Sequence, residues 1–487
     1  MTSPRSWAAY PSSYRAREMA VLAGWIQAGE SASLIGLAGS GKSNLLGFLC
    51  HRRDVTRSYL SGDALPPVLV LVDLSSLPGD VLSGNESVFY RVVLRALHEA
   101  RAQLSSVERS LAEVAETLYQ RAEDRADPLL YQSALREVVL LLQESDARLV
   151  LVLDSFDPFC QAATLGVFGN IRGLRDSFKA TLSYIVGSRQ ELAAVRDPME
   201  MGELYEILDI NQCWLGAMEA QDARWVIRQV EETLGRSFDQ AEIDRLIEVS
   251  GAYPSLLRAA SLWLAAARSP PRAEAWVERL LAERSIQYRL GEIWTGLSAE
   301  ERRALSRVQG LQSTGAIPLA ESGMMAGSVG SDKAFHDPVA QHRPALARLT
   351  AMGLCHQVGD GWQIRSALLA SYVGSVVEES YDEIWLDRNS GELYQGQSPL
   401  TNLAPLEREL LRFLVAQPLV RHTKTDLILN AWPDEPYPLE RSDDSVYQVI
   451  RGLRIKIEPD PSKPRYIVTW RGSGAQEGGY QFFPKGR

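Results

Sequence analysis

Cysteine is scarce in this chain: Cys50, Cys160, Cys213 and Cys355 are the only four in 487 residues. They lie far apart and form no CxxC pair, which argues against a disulfide framework and against a cysteine-rich zinc site. Six scattered histidines weaken the case for a metal centre further. No stretch approaches the roughly 20 consecutive apolar residues that cross a bilayer. The polar segment Met1 to Ser13 has no apolar signal core. The expectation is a reducing, cytoplasmic setting with no membrane partner. Net positive charge is missing too. A formal balance of −10 argues against a protein that coats nucleic acid along its whole length.

What is present is a folded chain, 45% hydrophobic and 23% charged. Its length exceeds one ordinary core and predicts about two to four domains. The charge is uneven. From Arg441 to Arg487 nine Lys or Arg stand against five Asp or Glu, so the last stretch has its own electrostatic character.

In chain order, an amphipathic helix begins near Tyr14, with Ala20, Leu22 and Ile26 on its apolar face. The run Ser33-Leu34-Ile35 reads as a strand. It feeds Gly36-Leu37-Ala38-Gly39-Ser40-Gly41-Lys42-Ser43, and a helical pattern follows from Asn44. Val68 to Val72 ends in Asp73, Leu149 to Leu153 in Asp154, and Leu182 to Val186 in Gly187-Ser188-Arg189. Continuous apolar runs of this kind suit parallel strands covered by helices on both faces, so an open α/β sheet is predicted up to about residue 211. Residues 219–267 read as helical apart from the turn Gly251-Ala252-Tyr253-Pro254. Ser298 and Glu301 have capping-box spacing at the head of a small helical unit. That unit continues with a helix from Pro344 to Met352 and a β-like Leu354 to Trp362, and Gly323 to Ser331 reads as a loop within it. The predicted division is a flexible 1–13, a nucleotide-binding domain at 14–211, a helical lid at 212–284, a winged-helix-like arm at 285–380 and a last domain at 381–487.

Gly36 to Ser43 satisfies G-x-x-x-x-G-K-S. Its glycines let the backbone wrap closely enough for N–H groups to face phosphates, aided by the following helix N-terminus. Gly36, Gly39, Ser40, Gly41 and Asn44 are candidates to hold the nucleotide with Lys42, which reaches the β and γ phosphates, while the Ser43 hydroxyl ligates Mg²⁺. Asp154 is the matching strand-end carboxylate for the metal. Asp157 either positions or deprotonates water, or forms the turn before Pro158. Ser188 and Arg189 are placed to sense the γ-phosphate. Arg172 and Arg175 either reach a neighbouring subunit's nucleotide or make plain surface ion pairs.

These motifs, with Tyr14-Arg15-Ala16-Arg17-Glu18 ahead of them and Gly251-Ala252-Tyr253-Pro254 behind, resemble the signal-transduction ATPases with numerous domains (STAND), a branch of the P-loop ATPases. The resemblance covers residues 14–270 and implies ATP or ADP with Mg²⁺, with Arg17 near the adenine and Pro254 near the nucleotide. It also implies a closed ADP form and an open, oligomeric ATP form. The chain departs from the family at Ala16, where a glycine is usual, and at Ser155, where many nucleotidases carry a glutamate.

Residues 383–487 are similar to the DNA-binding domain of OmpR-type response regulators. Ile384 to Asp387 stands for the first strand, Leu403 to Leu414 and Thr425 to Pro433 for the first two helices, and Asp444 to Ile457 for the recognition helix. Tyr466 to Gly472 and Gly479 to Phe482 stand for the wing, interrupted by Ser473 to Glu477. In the third helix Val446, Val449, Ile450, Leu453 and Ile457 form an apolar stripe, leaving Gln448, Arg451, Arg454 and Lys456 for a major groove. Arg465 and Arg471 suit phosphate contacts. Three functions fit: a nucleotide switch whose output binds double-stranded DNA, an interaction or defence-system scaffold whose winged helices contact protein, or a helper ATPase that assembles on DNA. Slow ATP hydrolysis is expected in the first.

Overall fold

The computed structural model describes residues 4–60, 66–76, 87–100, 113–114, 116–121, 128–267, 271–313, 342–359, 361–380, 383–387, 391–396, 398–431, 443–458, 461–470 and 478–486. The chain divides into two compact units, Met1–Ser371 and Tyr372–Arg487.

The first unit is built on a parallel sheet. Strands β1 (Ala32–Ile35), β2 (Val68–Asp73), β3 (Leu149–Asp154), β4 (Leu182–Ser188) and β5 (Gln212–Trp214) lie in the order β2-β3-β4-β1-β5. Every pairing is parallel, so the C-terminal ends of all five strands reach one edge. β1, β3 and β4 are buried along their whole length, which is why their sequences are mostly apolar rather than alternating, with Ser33 and Ser183 as small polar exceptions. β5 lies beyond the predicted limit of the sheet at 211 and within the segment assigned to the lid. Three residues with one fully buried side chain, Cys213, carry too little periodicity to be recognised.

The first helix, Ala16–Ala28, buries Met19, Leu22, Ala23 and Ile26; Ala20, expected on that face, is exposed. The helices Ala220–Leu234, Gln240–Ser250 and Pro254–Ala266 occupy the predicted helical stretch. It is broken twice, the extra break being set by left-handed Gly235 and the Asp239/Glu242 capping box. The capping box at Ser298 and Glu301 forms, with N–H to side-chain bonds of 3.2 and 2.8 Å. Beyond it come the helix Arg343–Ala351 and the antiparallel hairpin β6 (Cys355–Val358) and β7 (Gly361–Ile364). The expected loop at 323–331 lies outside the described residues.

The second unit is a winged helix. A three-stranded antiparallel sheet, β8 (Ile384–Leu386), β9 (Leu393–Gln395) and β10 (Ser398–Pro399), precedes the helices Pro405–Ala416, Lys424–Ala431 and Asp443–Ile457. The wing sheet, β11 (Arg421–Thr423), β13 (Gly479–Phe482) and β12 (Ile467–Trp470), follows in that spatial order. Leu410, Leu414, Leu427, Ile450, Leu453 and Phe482 fill its core, each worth roughly 1.5–3 kcal/mol relative to exposure. None of the described helices in either unit is long and apolar enough to cross a membrane.

For the described residues 4–13 the structure differs from the expectation of a flexible 1–13. Pro4–Ala9 forms a 3-10 turn, and Trp7 is buried on the phosphate-loop helix, Lys42–His51. Any Cβ at Gly47 would come within 2.3 Å of the Trp7 ring, so glycine there lets the indole lie against the helix backbone. Tyr10 continues the contact, 4.4 Å from the Trp225 ring and 4.8 Å from Tyr14. The polar composition of the segment makes it look loose; Trp7 and Tyr10, packed with the neighbouring Tyr14, decide otherwise. Trp7→Ala is expected to lower unfolding stability by about 3 kcal/mol, read from the denaturant midpoint. A midpoint equal to that of the wild type would return 4–13 to a loose tail.

Candidate functional site

The loop Gly36–Gly41 joins β1 to the helix Lys42–His51 at the sheet's C-terminal edge. The Gly36 N–H donates to the Ser188 carbonyl at 3.1 Å, which ties the loop's entry to β4. Gly39 and Gly41 have φ of 76° and 94°, a left-handed backbone that a side chain would strain. The Lys42 ammonium turns back onto the Gly36 and Leu37 carbonyls. Burial pushes its pKa down to about 8, against the pull of Asp157 and Asp154. Ser43 and Asn44 are exposed at the helix start.

Asp154 closes β3 and accepts hydrogen bonds from the Ser43 hydroxyl and from the Ser155 N–H, the latter at 2.8 Å. Burial nevertheless holds its pKa above the usual carboxylate range. Ser43 and Asp154, predicted as a metal pair, are therefore in direct contact. Ser188 closes β4. The buried hydroxyls of Ser40 and Ser188 make no hydrogen bond among the described residues, an uncommon condition for buried polar atoms. Both oxygens of Asp157 face the Arg189 N–H at 2.8 and 3.0 Å, so this carboxylate fastens the end of β4. The Arg189 side chain is exposed. Arg172 bonds Asp176 at 2.7 Å and the Glu203 carbonyl at 2.7 Å, the ordinary ion-pair geometry.

The turn at 251–255 packs directly on the loop. The Tyr253 hydroxyl donates to the Ala38 carbonyl at 2.9 Å and the Ser255 N–H to the Gly39 carbonyl at 3.2 Å. A Cβ at Gly41 would lie 4.0 Å from the Pro254 Cγ and 3.8 Å from the Tyr14 hydroxyl.

Arg17 is exposed, whereas Arg15, two residues earlier, is 2% exposed and central. Its guanidinium donates to the carbonyls of Ser40 (3.2 Å), Gly216 (2.8 Å) and Ala217 (3.0 Å). Its backbone N–H donates to Asp222 at 3.1 Å. Arg15, Asp222 and the aromatic group of Tyr10, Tyr14 and Trp225 were not singled out as functional residues. The signal in the sequence is Tyr14-Arg15 at the mouth of an amphipathic helix; of the partners of Arg15, Gly216, Ala217 and Asp222 lie 201 to 207 residues away and leave no local trace. Among the described residues no group of three carboxylate, histidine or cysteine side chains converges on a metal position. The amine of Lys42, the hydroxyls of Ser40, Ser43 and Ser188 and the strand-end carboxylate of Asp154 are gathered at this edge; Mg²⁺ at phosphate sites in general takes one or two carboxylates and completes its shell with phosphate oxygens and water.

In the second unit, Val446, Val449, Ile450, Leu453 and Ile457 of the third helix are buried as a stripe. Gln448 and Arg451 are exposed, as is Arg465. Arg454 and Lys456 lie elsewhere than on that free face. Arg454 donates to the Ile467 carbonyl at 2.6 Å and the Thr469 hydroxyl at 2.8 Å, and Lys456 pairs with the mostly buried Glu407. Both were read as outward because a helical wheel cannot register partners from another element. The carboxylate of Glu458 accepts the N–H groups of Arg465, Tyr466 and Ile467 at 2.6 to 3.1 Å, which fixes the step from helix to wing. Arg471 lies outside the described residues.

A family model described as "Transcriptional regulatory protein, C terminal" matches residues 397–476. The chain is similar to the transcriptional regulatory protein YvrH of Bacillus subtilis, 35% identical over 105 residues, 22% of this chain and 40% of that protein. Protein PetR of Rhodobacter capsulatus is 39% identical over 90 residues, 18% and 38% of the two chains. The chain thus spans about two-fifths of the length of these relatives. Among solved structures, the Walker-type ATPase PABY2304 of Pyrococcus abyssi has a TM-score of 0.45 and 13% identity, covering 75% of this chain and 98% of its own. That is a remote likeness at low identity.

The carboxyl of Asp222 has its pKa raised from 3.8 to about 6 by burial, with Arg15 pulling the other way. A group that binds its proton more tightly folded than unfolded contributes stability below its unfolded pKa and loses it as pH rises through the folded one. Stability should therefore fall between about pH 4 and pH 6 relative to Asp222→Asn, whose amide oxygen still accepts the Arg15 N–H. Parallel pH profiles of the two unfolding midpoints would remove Asp222 from this account.

Proposed function

We propose that this protein is a nucleotide-governed switch of the STAND type, with ATP or ADP and Mg²⁺ at Gly36–Ser43 and a winged-helix output that binds double-stranded DNA. The observation that carries the reading is the pairing of Ser43 with Asp154 at the C-terminal edge of a parallel sheet, beside a loop whose glycines hold a left-handed backbone. Lys42 would meet the β and γ phosphates. Ser43 and Asp154 would hold the metal, which supplies charge neutralisation at the transferring phosphoryl group. Ser188 and Arg189 stand at the neighbouring strand end to register the terminal phosphate, and Pro254 covers the loop. Arg17 remains the candidate near the adenine, with Arg15 as the residue that shapes the entrance.

Slow turnover fits this site better than fast. Ser155 occupies the position after Asp154, and Asp157 is engaged by the Arg189 backbone. The arm segment, residues 285–371, meets both sides of the loop region: Gln190 bonds the Gly296 carbonyl at 2.6 Å, and the Ser366 hydroxyl bonds the Val249 carbonyl at 2.8 Å. In the proposed cycle ADP holds these contacts. ATP loosens them and favours a homo-oligomer, the form in which DNA is bound.

DNA enters through the winged helix, whose relatives include named transcriptional regulators. Arg451 and Gln448 face outward for base edges, and Arg465 suits a phosphate. A second reading, protein contact through the same face, is favoured by Tyr447 and Ile455, which are 53% and 60% exposed on the third helix, and by the internal engagement of Arg454 and Lys456.

Lys42→Ala should abolish ADP and ATP binding measured by calorimetry while leaving the fold intact. With duplexes selected from a random-sequence library, Arg451→Ala should weaken binding by about 1–3 kcal/mol at the selected site. Arg465→Ala should weaken all sequences alike and reduce the salt slope by about one. Retention of nucleotide by the Lys42 variant, or duplex affinity identical in ADP and in a non-hydrolysable ATP analogue, would sink the switch. Failure to select any duplex, with a protein partner captured only by chains that keep 383–487, would favour the second reading.

A further inference from the structure

We propose that Asp73 is the second carboxylate of the Mg²⁺–phosphate site, a positioning residue that holds the metal's water shell beside Asp154; the inference rests on the nucleotide reading above. Asp73 is the last residue of β2, as Asp154 is of β3, and the two are direct partners in the parallel register. Register partners on neighbouring strands project from the same face of a sheet. For Asp154 that face is known: it is the side from which the Ser43 hydroxyl reaches it. Asp73 therefore ends level with the predicted metal pair and on its side.

A second observation marks the same spot from the other neighbour. On β4 the residue beside Asp154 is Gly187, and a Cβ there would come within 3.2 Å of the Asp154 Oδ1 and 2.8 Å of Leu46. Glycine keeps the space over this carboxylate clear on the β4 side, while β2 offers it a carboxylate. Like charges set side by side in this way disfavour each other unless a cation lies between them.

The other acid of this edge is committed elsewhere. Asp157 spends both oxygens on the Arg189 N–H, and the residue after Asp154 is Ser155. Mg²⁺ keeps several waters and is held by one or two carboxylates together with the phosphates of its substrate. Asp154 and Asp73 supply two, from two strands rather than from adjacent positions on one. Asp73 is itself oriented: its Oδ1 accepts the Ser75 N–H at 2.9 Å, which sets the side chain at the strand end.

That bond permits a clean test in the full-length chain. Asp73→Asn keeps an acceptor for the Ser75 N–H and removes only the charge. Mn²⁺ binding to the ADP-loaded protein, followed by electron paramagnetic resonance, should weaken by about 10- to 100-fold. ADP affinity in EDTA and the thermal unfolding midpoint should stay at wild-type values, and Asp73→Glu should recover part of the metal affinity. Should the asparagine variant fail to fold, Asp73→Ser, which also retains an acceptor, gives the same comparison. Mn²⁺ affinity unchanged in a folded, ADP-loaded variant leaves Asp73 as a turn-capping residue and overturns the inference alone. A wild-type chain that binds no ADP overturns it together with the nucleotide reading.

Discussion

The first unit depends on one buried cation. Placing a guanidinium out of water is costly unless its donors are met; the two terminal nitrogens of Arg15 are met by the carbonyls of Ser40, Gly216 and Ala217 and by the Glu18 carboxylate, while its Nε has no hydrogen-bond partner among the described residues. Its backbone carries a further cost, a φ of 51° in a residue with a side chain, on the order of 1 kcal/mol. Only a surrounding structure that over-determines the position sustains that conformation. The result is that the N-terminal segment, the phosphate loop and the turn after β5 share one anchor. Arg15 holds the Ser40 carbonyl of the loop, Lys42 those of Gly36 and Leu37, Tyr253 that of Ala38 and the Ser255 N–H that of Gly39.

From that anchor the contacts spread by close backbone approach. Gly216, whose carbonyl Arg15 holds, lies so near Met352 and Gly353 that a Cβ would come within 2.2 Å of the Met352 carbonyl oxygen. The Gly353 position meets Ala217 at 2.3 Å in the same way. Interlocked backbones of this kind transmit displacement because neither side has a flexible side chain to absorb it. On the proposed reading this is how a change at the phosphates reaches the arm. The loop moves Arg15's partners, and Gly216 carries the motion to residues 352–353.

The fold was legible where local pattern and global role coincide. Four of the five parallel strands announce themselves as largely apolar runs, three of them ended by a polar residue (Asp73, Asp154, Ser188), because a strand covered on both faces needs no alternation. The phosphate loop is legible because its chemistry demands glycine at set spacings. The winged helix is legible through its third-helix stripe and is matched independently over residues 397–476. What failed to show was tertiary. β5 is three residues long. Arg17 and Arg15 are equivalent in a sequence, and only partners some 200 residues away decide that Arg15 is the buried one. Arg454 and Lys456 sit on helix faces that a wheel assigns to solvent, yet Thr469 and Glu407 arrive from other elements to engage them.

The titration behaviour of the phosphate-loop residues bears on what the site is for. Were Lys42 and Asp154 simply a structural ion pair, each would stabilise the other's charged form, raising the lysine and lowering the carboxylate. The opposite holds for both: burial leads, pushing Lys42 down to about 8 and Asp154 upward. Each charge is thus held at a cost that its protein neighbour does not offset. A polyphosphate carrying Mg²⁺ brings anionic oxygens to Lys42 and a dication to Asp154, so a single ligand relieves both costs at once. On the proposed reading, that coupling suits a resident nucleotide better than an ion pair kept for stability. On the same reading, occupancy alone, without rapid hydrolysis, would set the conformation of the loop and of the segments anchored to it.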